Sequence, residues 1–234
     1  MDQHVDASAA MRMSDTVTAD SRYNFTGQFY VGAAIQCALA RSIEQSSAPL
    51  DDEQKTAHRS HVAAAIMQAS AGLESDIWAL LEHGPGHHLG SDKTDKDAKK
   101  ILSPIRDTVD RFEVLERFQT VLHLLRRPAF DRGAQPWQHA ALLISLRNEL
   151  VHYKSKFGEE MARVRLMQSL EHLRLTPPQF VDPSQNFFPH RCLSAACARW
   201  AILSSATFLD VFYENLSITS AIHNYRARME QHLK

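Results

Sequence analysis

The stretch from residue 147 to residue 154 combines, within about two helical turns, side chains that suit chemistry on a phosphodiester. Arg147 supplies a guanidinium, Asn148 an amide and His152 an imidazole, and Tyr153 and Lys154 follow directly. A histidine can act as general base or general acid, and an arginine can donate paired hydrogen bonds to an anionic oxygen cluster. This run is the strongest candidate for chemistry in the chain.

The spacing of Arg147 and His152 is uninformative by itself, because a chain with so many arginines and 13 histidines is expected to contain it by chance. On an ideal helix Asn148 and His152 share a face, whereas Arg147 and His152 diverge by about 140°. We expect the long arginine side chain, or a neighbouring subunit, to close that gap. The alternative is that Arg147 is a solvated cation at a helix end and His152 an ordinary interface histidine.

The composition predicts a globular, helical protein. The chain has 234 residues, of which 44% are hydrophobic, 23% are charged and only 8 are glycine. Scarce glycine together with many helix-forming residues favours helices over hairpin-rich sheets. The formal net charge of −1 argues against a surface covered with phosphate-binding cations, so any contact with nucleic acid must come from a local patch.

Apolar residues recur at three- and four-residue steps, which is the helical period, and no alternating strand pattern is found. Asp51 or Asp52 is expected to cap the second helix, and Gly84 to end it. The predicted helices cover residues 23–45, 53–83, 108–126, 136–157, 159–175 and 191–216, with a more polar helix extending to residue 234. The predicted fold class is therefore all-α, a helical bundle with additional N- and C-terminal helices. Residues 1–20 are expected to be a disordered lead, and residues 21–234 a single domain with its core at about 55–215.

Three cysteines and the apolar runs bear on location and metal binding. Cys37, Cys192 and Cys197 lack the pairing of a zinc site, and we expect free thiols in a reducing compartment. The first twenty residues carry acids and no apolar core, and apolar runs such as 31–40 are too short to span a membrane. We expect a cytoplasmic protein that has no membrane partner, no metal site and no cofactor.

Residues 146–154, LRNELVHYK, resemble the signature of the HEPN superfamily (higher eukaryotes and prokaryotes nucleotide-binding). Its members are all-α bundles with an Arg-polar-x3-His pattern late in a core helix. The segments PAFDRGAQPWQHAALL and AIMQASAGLESDIWALLE also resemble helices that bracket this motif in bacterial members. The resemblance covers about residues 55–215, and only the nonapeptide is specific.

The resemblance implies a metal-independent endoribonuclease that acts in a toxin–antitoxin or defence system. Its active site would lie at the two-fold interface of a homodimer. Arg147 and His152 of both copies would converge on one RNA phosphodiester, with His152 as general acid or base and Arg147 stabilising the phosphorane. Asn148 would hold the imidazole or a phosphate oxygen. The alternative is a catalytically inactive module that dimerises or holds a partner such as a nucleotidyltransferase antitoxin.

Some HEPN toxins carry a tyrosine two places after the histidine, which an antitoxin modifies. Here Lys154 occupies that place and Tyr153 follows His152 directly. We therefore expect Tyr153 to pack or to line the substrate side. On the helix predicted at 53–83, Glu74 is favoured over Asp76 as the residue that orients Arg147 or His152.

Cations exceed acids between residues 126 and 174, in a chain whose net charge is −1. Such an excess suits a groove that follows a phosphate backbone. We predict that Arg126, Arg127 and Lys156 contact RNA there. A solvated charged face is the alternative.

Overall fold

The computed structural model describes residues 25–90, 92–152 and 161–234. Within these ranges every regular element is helical, so the fold is all-α, as the sequence predicts. The α-helices are α1 (Thr26–Glu44), α2 (Asp52–His83), α3 (Lys96–Leu102), α4 (Arg106–Val109), α5 (Val114–Leu124), α6 (Trp137–Val151), α7 (Met161–His172), α8 (Ala195–Asn215) and α9 (Arg226–Leu233). The lead predicted at residues 1–20 lies outside the described residues.

Helix α2 begins and ends at strong local signals. The Asp51 carboxylate accepts a hydrogen bond from the backbone N–H of Gln54 at 2.7 Å, and the Asp51 N–H donates to Gln54 Oε1 at 3.0 Å. This reciprocal capping box satisfies two backbone donors at the start of the helix. Gly84 follows the last turn with φ of 87°, a backbone conformation that favours glycine. The predicted bounds 53–83 therefore agree with the observed ones.

Helices α1, α2 and α8 form the centre of the bundle. Ser205 Oγ donates to the carbonyl oxygen of Ala69 at 2.8 Å, and Tyr213 Oη donates to the Asp76 carboxylate. The step forward along α2 from Ala69 to Asp76 corresponds to a step forward along α8 from Ser205 to Tyr213. Helix α8 therefore runs parallel to α2. The Tyr30 hydroxyl of α1 also bonds to Ser205, which ties the three helices together.

The beginning of α6 is anchored to α8 by aromatic rings. Phe130, just before α6, stacks on Phe208 with ring centroids 4.5 Å apart. Phe118 of α5 meets the same ring edge-on at 5.2 Å, and Trp137 lies 6.2 Å from it. Aromatic pairs at these separations are favourable beyond the area they bury. This cluster fixes the direction in which α6 leaves the core.

The single helix predicted at 108–126 is wrong. The structure has α4 ending at Val109 and α5 beginning at Val114. The Arg117 guanidinium fills the break, because its nitrogens donate to the carbonyl oxygens of Val109, Asp110 and Phe112 at 3.2, 2.9 and 3.0 Å. Apolar periodicity carries no information about such side-chain-to-backbone bonds.

Helix α8 is the described helix that is long and apolar enough, by length and composition, to cross a membrane. Most of that stretch is buried inside the bundle. Its apolar character therefore has an explanation in the fold, since Ile202, Phe208, Leu209 and Phe212 are all fully buried. Core helices of globular proteins are often apolar on all sides.

Candidate functional site

The candidate motif lies at the carboxyl end of α6. The helix, predicted to extend to residue 157, ends at Val151, and His152 occupies the C-cap position with φ of −109° and ψ of 27°. Its backbone N–H still donates to the Asn148 carbonyl oxygen at 2.9 Å. The His152 side chain is exposed. The imidazole therefore leaves the chain at a helix end, five residues after Arg147 and four after Asn148.

The Arg147 guanidinium bridges two helices. Its Nη1 donates to Asn148 Oδ1 at 3.0 Å, and its Nη2 forms an ion pair with Glu74 of α2. The Arg147 side chain is 26% exposed and the Glu74 side chain 41%. The structure thus brings Arg147, Asn148 and Glu74 together at a position that solvent and ligands can reach.

Asp76 is only two residues from Glu74 but lies in the core. Two residues correspond to about 200° around a helix, so one side chain faces α6 while the other faces α8. Tyr213 Oη donates to both oxygens of the fully buried Asp76 carboxylate, at 3.1 and 3.0 Å. Burial raises the pKa of Asp76 to about 7, and the hydrogen bond from Tyr213 opposes this rise. Asp76 therefore has a structural role.

The structure places Arg126 and Arg127 away from Arg147. Both arginines are exposed and line a cavity of about 570 Å³, together with Lys93 and Asp95. This cavity lies at the end of the bundle where α2, α5 and α8 finish, and Glu74 is nine residues, about 14 Å of helix, back along α2. The cavity shares no lining residue with the Arg147 contacts. Tyr153, Lys154 and Lys156 lie outside the described residues.

The histidines after α2 pack locally. His87 Nδ1 donates to the Gly84 carbonyl oxygen at 3.0 Å, and His88 Nε2 donates to that of Thr219 at 2.8 Å. His87 is buried, although the segment that follows it is polar and charged. Burial lowers the pKa of His88. Across the part of the chain that the structure describes, no group of three His, Cys, Asp or Glu side chains could hold a metal ion.

The three cysteines are in environments that make their thiols unreactive. Cys37, Cys192 and Cys197 are all buried with free thiols. Burial raises the pKa of Cys37 to about 11 and that of Cys192 to about 12. A buried thiol whose pKa is raised is a poor nucleophile, so none of the three competes with the α6 motif as a reactive group.

Sequence reasoning missed a second concave region. A cavity of about 630 Å³ opens between the beginning of α6, the segment after α7 and the outer side of α8. Its wall includes His139 and Trp200, whose rings meet edge-on at 5.9 Å. Its lining residues come from three stretches that are far apart in the sequence, and no local motif connects them.

Comparison with known proteins found no relative of this chain. No protein-family model matches it, and no curated protein and no solved structure is significantly similar to it. The HEPN resemblance therefore rests on the residues of the motif itself.

Proposed function

We propose that this protein is a metal-independent endoribonuclease of the HEPN type, which acts as a homodimer. The observation that carries this proposal is the Arg147 guanidinium, held by Asn148 and Glu74 near the carboxyl end of α6, the helix that the exposed His152 terminates. A partly exposed guanidinium and an accessible imidazole at one helix end are groups that can bind a phosphodiester and move its protons.

The proposed reaction transfers the phosphoryl group within the RNA. His152 accepts the proton of a ribose 2′-hydroxyl, the 2′-oxygen forms a bond to phosphorus, and the bond from phosphorus to the 5′-oxygen breaks. His152 of a second copy donates a proton to the leaving oxygen. The products are a 2′,3′-cyclic phosphate and a 5′-hydroxyl, so atoms and charges balance without a metal ion.

Arg147 has the electrostatic role in this scheme. A guanidinium can donate two parallel hydrogen bonds to the non-bridging oxygens, whose negative charge grows as the phosphorane forms. Asn148 accepts a hydrogen bond from Arg147 Nη1 at 3.0 Å, which limits the rotation of the guanidinium. Orientation of this kind contributes to the rate because the transition-state donors are already in place.

A dimer follows from the need for both a base and an acid. One copy supplies a single His152 at the end of α6, where a second copy can approach. Val151, directly before it, is 50% exposed, and apolar side chains at the surface favour contact with another protein when they join a larger interface. We place the two-fold axis near this helix end.

The second candidate function is a catalytically inactive module that dimerises or holds a partner, such as a nucleotidyltransferase antitoxin. The observation that favours it is the Glu74 carboxylate, which already satisfies the Arg147 guanidinium without any phosphate. In this alternative the ion pair between α2 and α6 is a structural contact. A cytoplasmic toxin or defence role belongs to the first candidate, and a scaffold role to the second.

The two candidates differ in what purified protein does to RNA in EDTA. We expect the wild-type chain to cleave single-stranded RNA, and Arg147→Ala and His152→Ala each to reduce the rate by at least about 100-fold, because one removes charge stabilisation and the other proton transfer. Gel electrophoresis with a test for 2′,3′-cyclic phosphate ends measures this. Arg111→Gln, at an exposed position between α4 and α5, is the matched control.

Cleavage at the wild-type rate by either variant would refute the catalytic role of the residue that the variant replaces. No cleavage by a wild-type protein that is a stable dimer in sedimentation would favour the inactive module.

A further inference from the structure

We propose that the cavity beside α8 is a binding site for a small organic acid, a carboxylate attached to an apolar body. This α8 cavity is lined by residues that include His139, Arg174, Arg199, Trp200 and Leu203. It holds about 630 Å³, within the usual range for small-molecule sites. The inference is independent of the ribonuclease proposal, because Arg147, Asn148 and His152 do not line this cavity.

Apolar side chains form the body of the wall. Leu175, Leu203 and Val211 contribute aliphatic surface, and the indole ring of Trp200 contributes an aromatic face. Leu203 is 36% exposed although it lies on the central core helix. A hydrocarbon group that covered these side chains would remove apolar surface from water, which is the main favourable term in binding of this kind.

The charged side chains of the lining are cationic. They are Arg174 and Arg199, and no Asp or Glu among the described residues lines the cavity. Arg199 uses its Nε to donate to the Leu233 carbonyl oxygen at 3.2 Å. Among the described residues, neither arginine has a carboxylate partner. A guanidinium pairs well with the two oxygens of a carboxylate, so charge complementarity selects an anion.

A further donor at the wall favours an oxygen acceptor in the ligand. The Trp200 Nε1–H is buried and has no hydrogen-bond partner among the described residues. A buried donor without an acceptor costs free energy, and a ligand oxygen would recover this cost if the indole turned toward the cavity. His139 lies edge-on to the Trp200 ring at 5.9 Å. Burial lowers the pKa of His139, which disfavours a charge on this imidazole and leaves the arginines as the cations of the lining.

The experiment is calorimetric titration of the full chain with decanoate below its micelle concentration, with decanol and decyltrimethylammonium as probes of the same chain length. We expect decanoate to bind with one site per chain and the two others to bind at least about tenfold more weakly, because only the carboxylate meets the arginines.

Variants locate the site. We expect Arg174→Gln and Arg199→Gln each to weaken decanoate binding about tenfold, and Trp200→Phe, which keeps a ring but loses the N–H, to weaken it several-fold. Arg111→Gln should bind as the wild type does. Arg199 also contacts the carboxyl end of α9, so thermal melts accompany each variant. Arg174 is exposed, and its side chain has no such contact within the part of the chain that the structure describes, so its variant tests the site without this complication.

Absence of decanoate binding, or equal binding of decanoate and decanol, would overturn the proposal. So would binding that neither Arg174→Gln nor Arg199→Gln changes, since the acid would then occupy another part of the surface.

Discussion

Glu74 and Arg147 form an ion pair between side chains that are both partly exposed. Pairs of this kind contribute little to the free energy of unfolding, typically about 0–1 kcal/mol. Glu74 therefore matters less for stability than for its effect on which ligands can bind to Arg147. A carboxylate that holds a guanidinium in place also competes with any phosphate that approaches the same nitrogens.

At the residue scale we predict that Glu74→Gln strengthens RNA binding several-fold. The amide can still accept a hydrogen bond from Arg147 but no longer repels phosphate. The measurement is the Kd for 2′-O-methyl RNA, which lacks the attacking hydroxyl and stays intact. Glu116→Gln is the matched control, because Glu116 forms a comparably exposed ion pair with Arg132. An unchanged Kd for Glu74→Gln would show that phosphate does not reach Arg147.

Only some residues of the candidate site can be predicted from the sequence. The types and positions of Arg147, Asn148 and His152 are readable from the chain. The preference for Glu74 over Asp76 agrees with the observed contact to Arg147, but the sequence contains no physical reason for it. Both residues lie near the same level of one helix, and only the packing of α2 against α6 and α8 decides which side chain faces which neighbour. The α8 cavity is invisible to sequence reasoning for the same reason.

Helices α1 and α2 pack at unusually close range at the level of Gly72. A Cβ placed on Gly72 would lie 2.6 Å from Cε2 of Tyr30, whose ring is fully buried and whose hydroxyl bonds to Ser205. Burial on all sides and the bond to Ser205 both oppose a shift of this ring. Gly32 differs, because a Cβ there would meet Oε1 of Gln68, the end of a flexible side chain, at 2.6 Å.

At the element scale we therefore predict opposite effects for two equivalent substitutions. Gly72→Ala should lower the free energy of unfolding by about 1–2 kcal/mol, because overpacking outweighs the better helix propensity of alanine. Gly32→Ala should be neutral or stabilising by up to about 1 kcal/mol. Urea denaturation measures both. A stabilising Gly72→Ala would mean that α1 and α2 are not held at this distance.

Element boundaries were predictable where a local signal defines them. Asp51 and Gly84 bound α2 because capping and positive φ are properties of single residues. The split between α4 and α5 depends on Arg117 contacting carbonyl groups that the helical period does not reveal. The start of α8 was predicted at 191 but lies at Ala195, where the Ser194 hydroxyl accepts from the N–H of Cys197 at 3.2 Å.

At the scale of the whole molecule, one buried acid couples folding to pH. Asp76 is fully buried between α2 and α8, and burial raises its pKa to about 7 from an ordinary value of 3.8. Between about pH 4 and pH 7 the folded protein retains a proton that the unfolded chain has lost. The free energy of unfolding therefore falls as the pH rises through this window and becomes insensitive to Asp76 above it.

We predict that Asp76→Asn flattens this dependence. Each unit of pKa shift corresponds to about 1.4 kcal/mol, so between pH 5 and pH 8 the wild type should lose about 2–3 kcal/mol more stability than the variant. Urea denaturation at the two pH values measures the difference. Asp92→Asn, at an exposed position, should follow the wild type. Equal losses for Asp76→Asn and the wild type would show that Asp76 is not protonated in the fold.

Three helices finish at the same end of the bundle, where Pro85 after α2, residues 124–127 at the end of α5 and residues 216–218 after α8 line one cavity. The aligned peptide dipoles of a helix give its carboxyl terminus a partial negative charge of about half a unit. Lys93, Arg126 and Arg127 therefore lie in a backbone field that already attracts cations. An anion that approaches this end meets carbonyl dipoles as well as guanidinium groups, so the attraction is weaker than the formal charges suggest.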